Sequence, residues 1–112
     1  MPARAQISAN WLNPVSGNWN DPSNWSTNPV FPNNSGPNTY NCFIAATGAG
    51  YTVSLNQDIT INDLSLTSSD AILDLTSHAL HVNGNYSQSA GVLRGPVAFG
   101  TMTVGGTASF TG

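Results

Sequence analysis

Short apolar-alternating segments return along this chain at a nearly fixed interval, and that interval constrains the fold more than any other feature. Ile59-Thr60-Ile61 is followed by Leu80-His81-Val82 and then by Met102-Thr103-Val104, at offsets of 21 and 22 residues. A second series, Val53-Ser54-Leu55, Leu73-Asp74-Leu75 and Leu93-Arg94-Gly95, is interleaved with it at offsets of 20. One such unit cannot bury its apolar face alone, whereas stacked neighbours can. Two interleaved series with a common period therefore predict a coil that repeats once per 20 to 22 residues.

Helices are excluded on pattern. No window places apolar residues at i, i+3, i+4 and i+7, and Gly, Pro or Asn interrupts almost every run. β-branched residues with period two dominate instead, which predicts an all-β chain of many short strands. The expected strands are Tyr40–Ile44, Tyr51–Leu55, Ile59–Leu66, Ala71–Leu75, Leu80–Tyr86, Gly91–Leu93, Thr101–Val104 and Thr107–Phe110. Successive side chains of a strand point to opposite faces, so Ile59 and Ile61 go inward, with Leu80 and Val82 stacked on them and Met102 and Val104 stacked on those. The same register puts Ser54, Asp74 and Arg94 in one outward column. Asp74 and Arg94 then form a surface ion pair worth about 0 to 1 kcal/mol.

The reading is a single domain in two sections: a capping segment, residues 1–39, and stacked coils, residues 40–112. The first section is rich in Asn, Pro and Ser, and holds all three tryptophans, Trp11, Trp19 and Trp25. Asn13-Pro14, Asp21-Pro22 and Asn28-Pro29 are turn signals there, because Pro fixes its own φ and restricts the residue before it. A solenoid needs a cap at its first coil, and a large apolar ring with one N–H to satisfy suits that task. Trp11, Trp19, Asp21, Asn24 and Trp25 are accordingly expected to form it. The alternative use of these residues is to contact a glycan, with the rings stacking on sugars and the Asn and Asp side chains bonding to hydroxyls. The alternative fold is an antiparallel β-sandwich, which also suits short strands at this spacing. Parallel stacking makes residue 60 a neighbour of residue 81; a sandwich gives hairpin neighbours instead.

Composition narrows the chemistry. The chain has no Lys and no Glu, and its two cations are Arg4 and Arg94, giving a net charge of −3. Phosphate backbones have nothing to bind to, which argues against a nucleic-acid partner. Apolar runs are only a few residues long, against the roughly 20 that a membrane-spanning helix needs. His78 and His81 lack further ligands nearby, so no metal or other cofactor is expected. The five carboxylates, Asp21, Asp58, Asp63, Asp70 and Asp74, fall mostly in turns, with no facing pair across a cleft as a glycosidase requires. No nucleophile elbow and no phosphate-binding Gly loop is present. The single cysteine, Cys42, cannot make an internal disulfide. Asn24, Asn33 and Asn85 match the N-glycosylation pattern, which chance supplies in a chain this rich in Asn and Ser.

The run Gly17-Asn18-Trp19-Asn20-Asp21-Pro22-Ser23-Asn24-Trp25-Ser26, with Trp11 before it and Pro32 after it, carries a resemblance. So do Leu80-His81-Val82-Asn83-Gly84, Ala90-Gly91-Val92-Leu93-Arg94-Gly95 and Gly100-Thr101-Met102-Thr103-Val104-Gly105-Gly106-Thr107. The chain resembles the N-terminal segment of large secreted bacterial proteins with autotransporter-associated β-strand repeats. The resemblance implies a right-handed parallel β-helix serving as an extracellular or cell-surface scaffold, and it supplies no catalytic residues. Family members are much longer than this chain, which holds about three coils.

The expected function is therefore a non-enzymatic, secreted structural module, the capped start of a β-helical fibre, stalk or adhesin. The alternative is a carbohydrate-binding module using the tryptophan segment, with a polysaccharide as partner. Ala3-Arg4-Ala5 resembles the small-residue pattern beside a secretory cleavage site, in keeping with a mature exported segment. The ending, Gly105-Gly-Thr-Ala-Ser-Phe-Thr-Gly112, has no charged or proline closure. The last coil is thus expected to expose unpaired backbone, with a fragment's continuation or a second copy as its partner.

Overall fold

A computed structural model describes residues 5–34, 38–94 and 101–110. Its strands are β1 (Ala5–Asn10), β2 (Gly17–Asn18), β3 (Asn38–Ile44), β4 (Tyr51–Ser54), β5 (Ile59–Ile61) and β6 (Asp63–Leu66), then β7 (Ala71–Asp74), β8 (Ala79–Val82), β9 (Tyr86–Gln88), β10 (Val92–Arg94), β11 (Thr101–Val104) and β12 (Ala108–Phe110). A 3-10 turn at Pro22–Asn24 is the one helical piece among the described residues. The strands form three open sheets, in the orders β1-β3-β6-β9-β12, β2-β4-β7-β10 and β5-β8-β11.

Every pairing between these strands is parallel. From β3 onward the chain visits the five-, four- and three-stranded sheets in that order and then begins again. The molecule is therefore all-β with parallel sheets, an arrangement compatible with a β-helix. The antiparallel sandwich does not survive: Thr60 pairs with His81, a full circuit later, and not with a hairpin partner.

Each strand buries alternate residues, as the pleat requires. Tyr40, Cys42 and Ile44 of β3, Val53 of β4, Leu64 and Leu66 of β6 and Leu73 of β7 all point into one continuous core. Neighbours in a column come from successive circuits, so Val53 pairs with Leu73 and Leu73 with Leu93. Fully burying a side chain of this kind contributes about 1.5 to 3 kcal/mol.

Two strand assignments differ from the sequence reading. The runs Ile59–Leu66 and Leu80–Tyr86 each divide between two sheets, so a circuit holds three strands and not two. The cause lies in the corner: β5 buries Ile59 and Ile61, whereas β6 buries Leu64 and Leu66, so the inward phase flips around Asn62. Strand structure also starts before Tyr40, since β1 lies beside β3 from Ala5↔Asn38 to Asn10↔Phe43 and β2 lies beside β4.

Corners are held by side chains that reach from one circuit to the next. Asp58 Oδ1 accepts from the Ala79 N–H at 2.9 Å, and Asp63 Oδ1 from the Asn85 N–H at 2.8 Å. Thr76 has φ 55°, unusual for a β-branched residue; its hydroxyl donates to Leu55 O at 2.7 Å, and its N–H bonds to Asp74 Oδ1 at 2.9 Å. Gly91 takes φ 84° where a Cβ would lie 2.6 Å from Ser68 O, so both conformation and space call for glycine.

Candidate functional site

The three tryptophans meet on one another. The Trp19 and Trp25 ring centroids are 4.7 Å apart, and Trp11 sits edge-on to Trp25 at 5.2 Å and stacks on Tyr51 at 6.5 Å. Trp19 and Trp25 are fully buried, and Trp11 is 3% exposed. Each indole N–H has an internal carbonyl: Trp11 bonds to Val15 O at 3.2 Å, Trp19 to Pro32 O at 2.8 Å and Trp25 to Trp19 O at 2.7 Å. None of the three rings presents an open face to solvent in this conformation.

Asp21 and Asn24 shape the backbone around the rings. Asp21 caps the 3-10 turn, its Oδ1 accepting from the Ser23 N–H at 3.1 Å and the Ser23 hydroxyl at 2.8 Å. Asn24 Nδ2 donates to Asn18 O at 3.2 Å, under Gly17, where any side chain would collide with the Asn24 amide. The Asp21-Pro22 signal in the sequence is thus an N-cap followed by Pro at the first turn.

The segment from Asp21 to Asn34 touches the outermost strand of all three sheets. On β1, the Ser26 N–H donates to Asn10 O at 2.9 Å and the Asn10 N–H donates to Ser26 Oγ at 2.9 Å. On β2, Asn18 O accepts from the Asp21 N–H at 3.2 Å as well as from Asn24. On β5, the Thr60 N–H donates to Asn33 Oδ1 at 3.0 Å and Thr60 O accepts from the Asn34 N–H at 2.7 Å. Sequence reasoning missed Asn10, Ser26, Asn33 and Asn34. None lies at a periodic offset from its partner; the usable signal was that the first strand of each series lacks a predecessor and needs upstream Asn or Ser side chains.

Beside this segment lies an open groove of about 340 Å³, lined by Pro22, Pro29, Val30, Phe31, Asn33 and Tyr40. It carries no charged side chain and only modest concavity. No protein-family model matches the chain, and no curated protein or solved structure matches it.

The other residues singled out by pattern fall as follows. Ile59, Leu80 and Met102 form one column and Ile61, Val82 and Val104 the next, buried except at Met102 and Val104. Asp74 Oδ2 is 3.1 Å from Arg94 Nη1, in the outward column shared with Ser54. His81 points outward with Nδ1 2.8 Å from Thr103 Oγ1, while His78 Nδ1 is 3.6 Å from Asp58 Oδ1. Among the described residues no group of three or more His, Cys, Asp or Glu is placed to hold a metal ion, and no helix is long and apolar enough to cross a membrane. Cys42 is buried, and burial pushes its thiol pKa well above the ordinary value, which makes it a poor nucleophile.

Proposed function

We propose that this chain is a non-enzymatic structural module: the capped start of a right-handed parallel β-solenoid used as an extracellular fibre, stalk or adhesin. The observation that carries the reading is that one segment, Asp21 to Asn34, bonds to the first edge of all three sheets. An exposed edge strand is a template for unwanted pairing, and closing three such edges at once is what a cap is for. The likeness of the tryptophan run to secreted autotransporter-type repeats supports an exported scaffold, and the buried indoles favour the cap over the glycan reading. At the other end, β10, β11 and β12 are the last strands of their sheets, and further circuits, of the same chain or of a second copy, are the partner this reading gives them.

Trp19→Ala and Trp25→Ala test it. Removing a buried aromatic of this size costs about 3 to 5 kcal/mol, so each variant should unfold or aggregate, read by far-UV circular dichroism and sedimentation. Variants that keep the fold but lose binding on an array of neutral glycans would overturn the cap in favour of carbohydrate recognition.

A further inference from the structure

One buried side chain carries a polar atom that the fold does not use. Tyr40 lies on β3 and is 5% exposed, with its ring in the core. Among the described residues its hydroxyl has no hydrogen-bond partner, whereas the other tyrosines do: the Tyr51 hydroxyl donates to Ala46 O at 2.8 Å and the Tyr86 hydroxyl to Gln88 Oε1 at 2.7 Å. No fully buried side-chain nitrogen or oxygen of those residues lacks a partner, so the Tyr40 hydroxyl belongs to the part of the side chain that is open. Tyr40 lines the groove of about 340 Å³ beside the Asp21 to Asn34 segment. A buried phenol with a free hydroxyl at a groove calls for an explanation outside the fold.

The rest of the groove is held in place. Asn33 Oδ1 accepts from the Thr60 N–H at 3.0 Å, which leaves the amide Nδ2 as the donor that Asn33 has to offer. Asn34 Oδ1 accepts from the Tyr40 N–H at 3.1 Å. At the rim the Val30 N–H donates to Thr27 O at 3.0 Å and the Thr27 hydroxyl donates to Val30 O at 2.7 Å. The remaining walls are apolar: Pro22, Pro29, Val30 and Phe31, the last packed partly against the core.

These features select a class of ligand. A wholly apolar molecule would cover the Tyr40 hydroxyl and leave it without a partner. An ion would meet no opposite charge, since no charged side chain lines the groove. An extended peptide would bring N–H and C=O groups to a rim where Val30 has both of its own engaged and Pro29 has no N–H. A neutral pyranose meets none of these objections. Its C–H face lies against rings and aliphatic carbons, and its hydroxyls both donate and accept. At about 340 Å³ the groove is at the small end of the usual range for ligand sites, about 300 to 1,000 Å³, which suits the end of a glycan chain.

We propose that this groove binds the terminal sugar of a neutral glycan, with Tyr40 Oη and Asn33 Nδ2 as its polar contacts and Pro29, Val30 and Phe31 as its apolar wall. The site is separate from the tryptophan cluster, and the proposal goes beyond the capped-start reading without depending on it.

The test is an amide-detected NMR titration of the whole chain with maltose, cellobiose, lactose and diacetylchitobiose, each taken to tens of millimolar. At least one sugar should shift the Val30, Phe31, Asn33 and Tyr40 resonances in a saturable way. Tyr40→Phe removes a single oxygen and should bind that sugar roughly tenfold more weakly, the equivalent of one hydrogen bond. Its thermal midpoint should not move, because the fold makes no bond to that oxygen. Asn33→Asp keeps the acceptor for Thr60, loses the donor and should weaken binding likewise. The absence of a saturable shift at the groove with every sugar, shifts confined to other residues, or undiminished binding by Tyr40→Phe would each overturn the proposal. So would a proline-rich peptide that saturates the groove where the sugars do not. A lowered thermal midpoint in Tyr40→Phe would assign the hydroxyl to the fold and overturn it as well.

Discussion

Asp63 and Asn85 occupy the same corner of successive circuits, and Asp63 Oδ1 accepts the backbone N–H of Asn85 at 2.8 Å. Asn85 repeats the act one circuit on, its Oδ1 accepting from the Thr107 N–H at 2.9 Å. The corner is thus a ladder in which each side chain fixes the backbone of the next turn. Gly84 fits beneath it because any side chain there would meet Asp63 Oδ1.

Asp63→Ala should lower stability by about 0.5 to 1.5 kcal/mol, the net worth of one hydrogen bond to an exposed backbone donor that water can replace in part. Asp63→Asn retains an acceptor and should cost less. Urea titration checks both: the midpoint should fall with little change in slope.

The Asp74–Arg94 pair should couple weakly. Arg94 is 51% exposed, and a double-mutant cycle should give at most about 1 kcal/mol, shrinking as salt is raised. Asp74→Ala should cost more than Arg94→Ala, because Asp74 Oδ1 also holds the Thr76 N–H in its left-handed turn. Equal costs for the two would mean that this second bond contributes nothing.

Alkali should destabilise the fold before it harms an exposed surface. Burial raises the pKa of the Cys42 thiol and of Tyr86, and burial is also the largest cause of the rise at Tyr51, with Asp70 adding to it and Ser68 opposing it. A raised folded-state pKa means that each group contributes stability in full below its unfolded value, 9.0 for the thiol and 10.0 for the phenols, and loses it as pH climbs towards the folded value. Unfolding free energy measured in urea should therefore be flat below about pH 8 and fall above it. Cys42→Ser should leave the tyrosine part of that fall in place.

Gly91→Ala should cost about 1 to 3 kcal/mol, since φ 84° is strained for any side chain and the new Cβ would press on Ser68 O and Ala71 O. Gly50→Ala is the control: the nearest atom to its Cβ would be Asp70 O at 4.0 Å, so thermal unfolding should shift little.

The legible part of this fold was the part written as period. Ile59, Leu80 and Met102 share a column because their spacing repeats, and parallel pairing follows from that spacing. The third sheet hid inside runs such as Ile59–Leu66, where a corner at Asn62 costs a single residue and leaves hydropathy unbroken. Only the change from odd to even buried positions betrays it. β1 was hidden for another reason: of its side chains with a described environment only Ile7 and Ala9 face the interior, too few to register as a pattern. In the tryptophan segment the ring types announced a buried cluster, but which carbonyls they meet, and which loop closes β5, depends on turns that carry no period.

Because Leu64 pairs with Tyr86, residue by residue at the same point of the cross-section, the two ends of the stretch Leu64–Asn85 are interchangeable junctions. A copy of those 22 residues inserted in frame would re-enter the fold where it left, one layer further along. Such a gene can lengthen by duplication without designing a new connection, and a slip of one residue within a strand of the new layer, unless a connection absorbed it, would turn that strand's buried side chains outward.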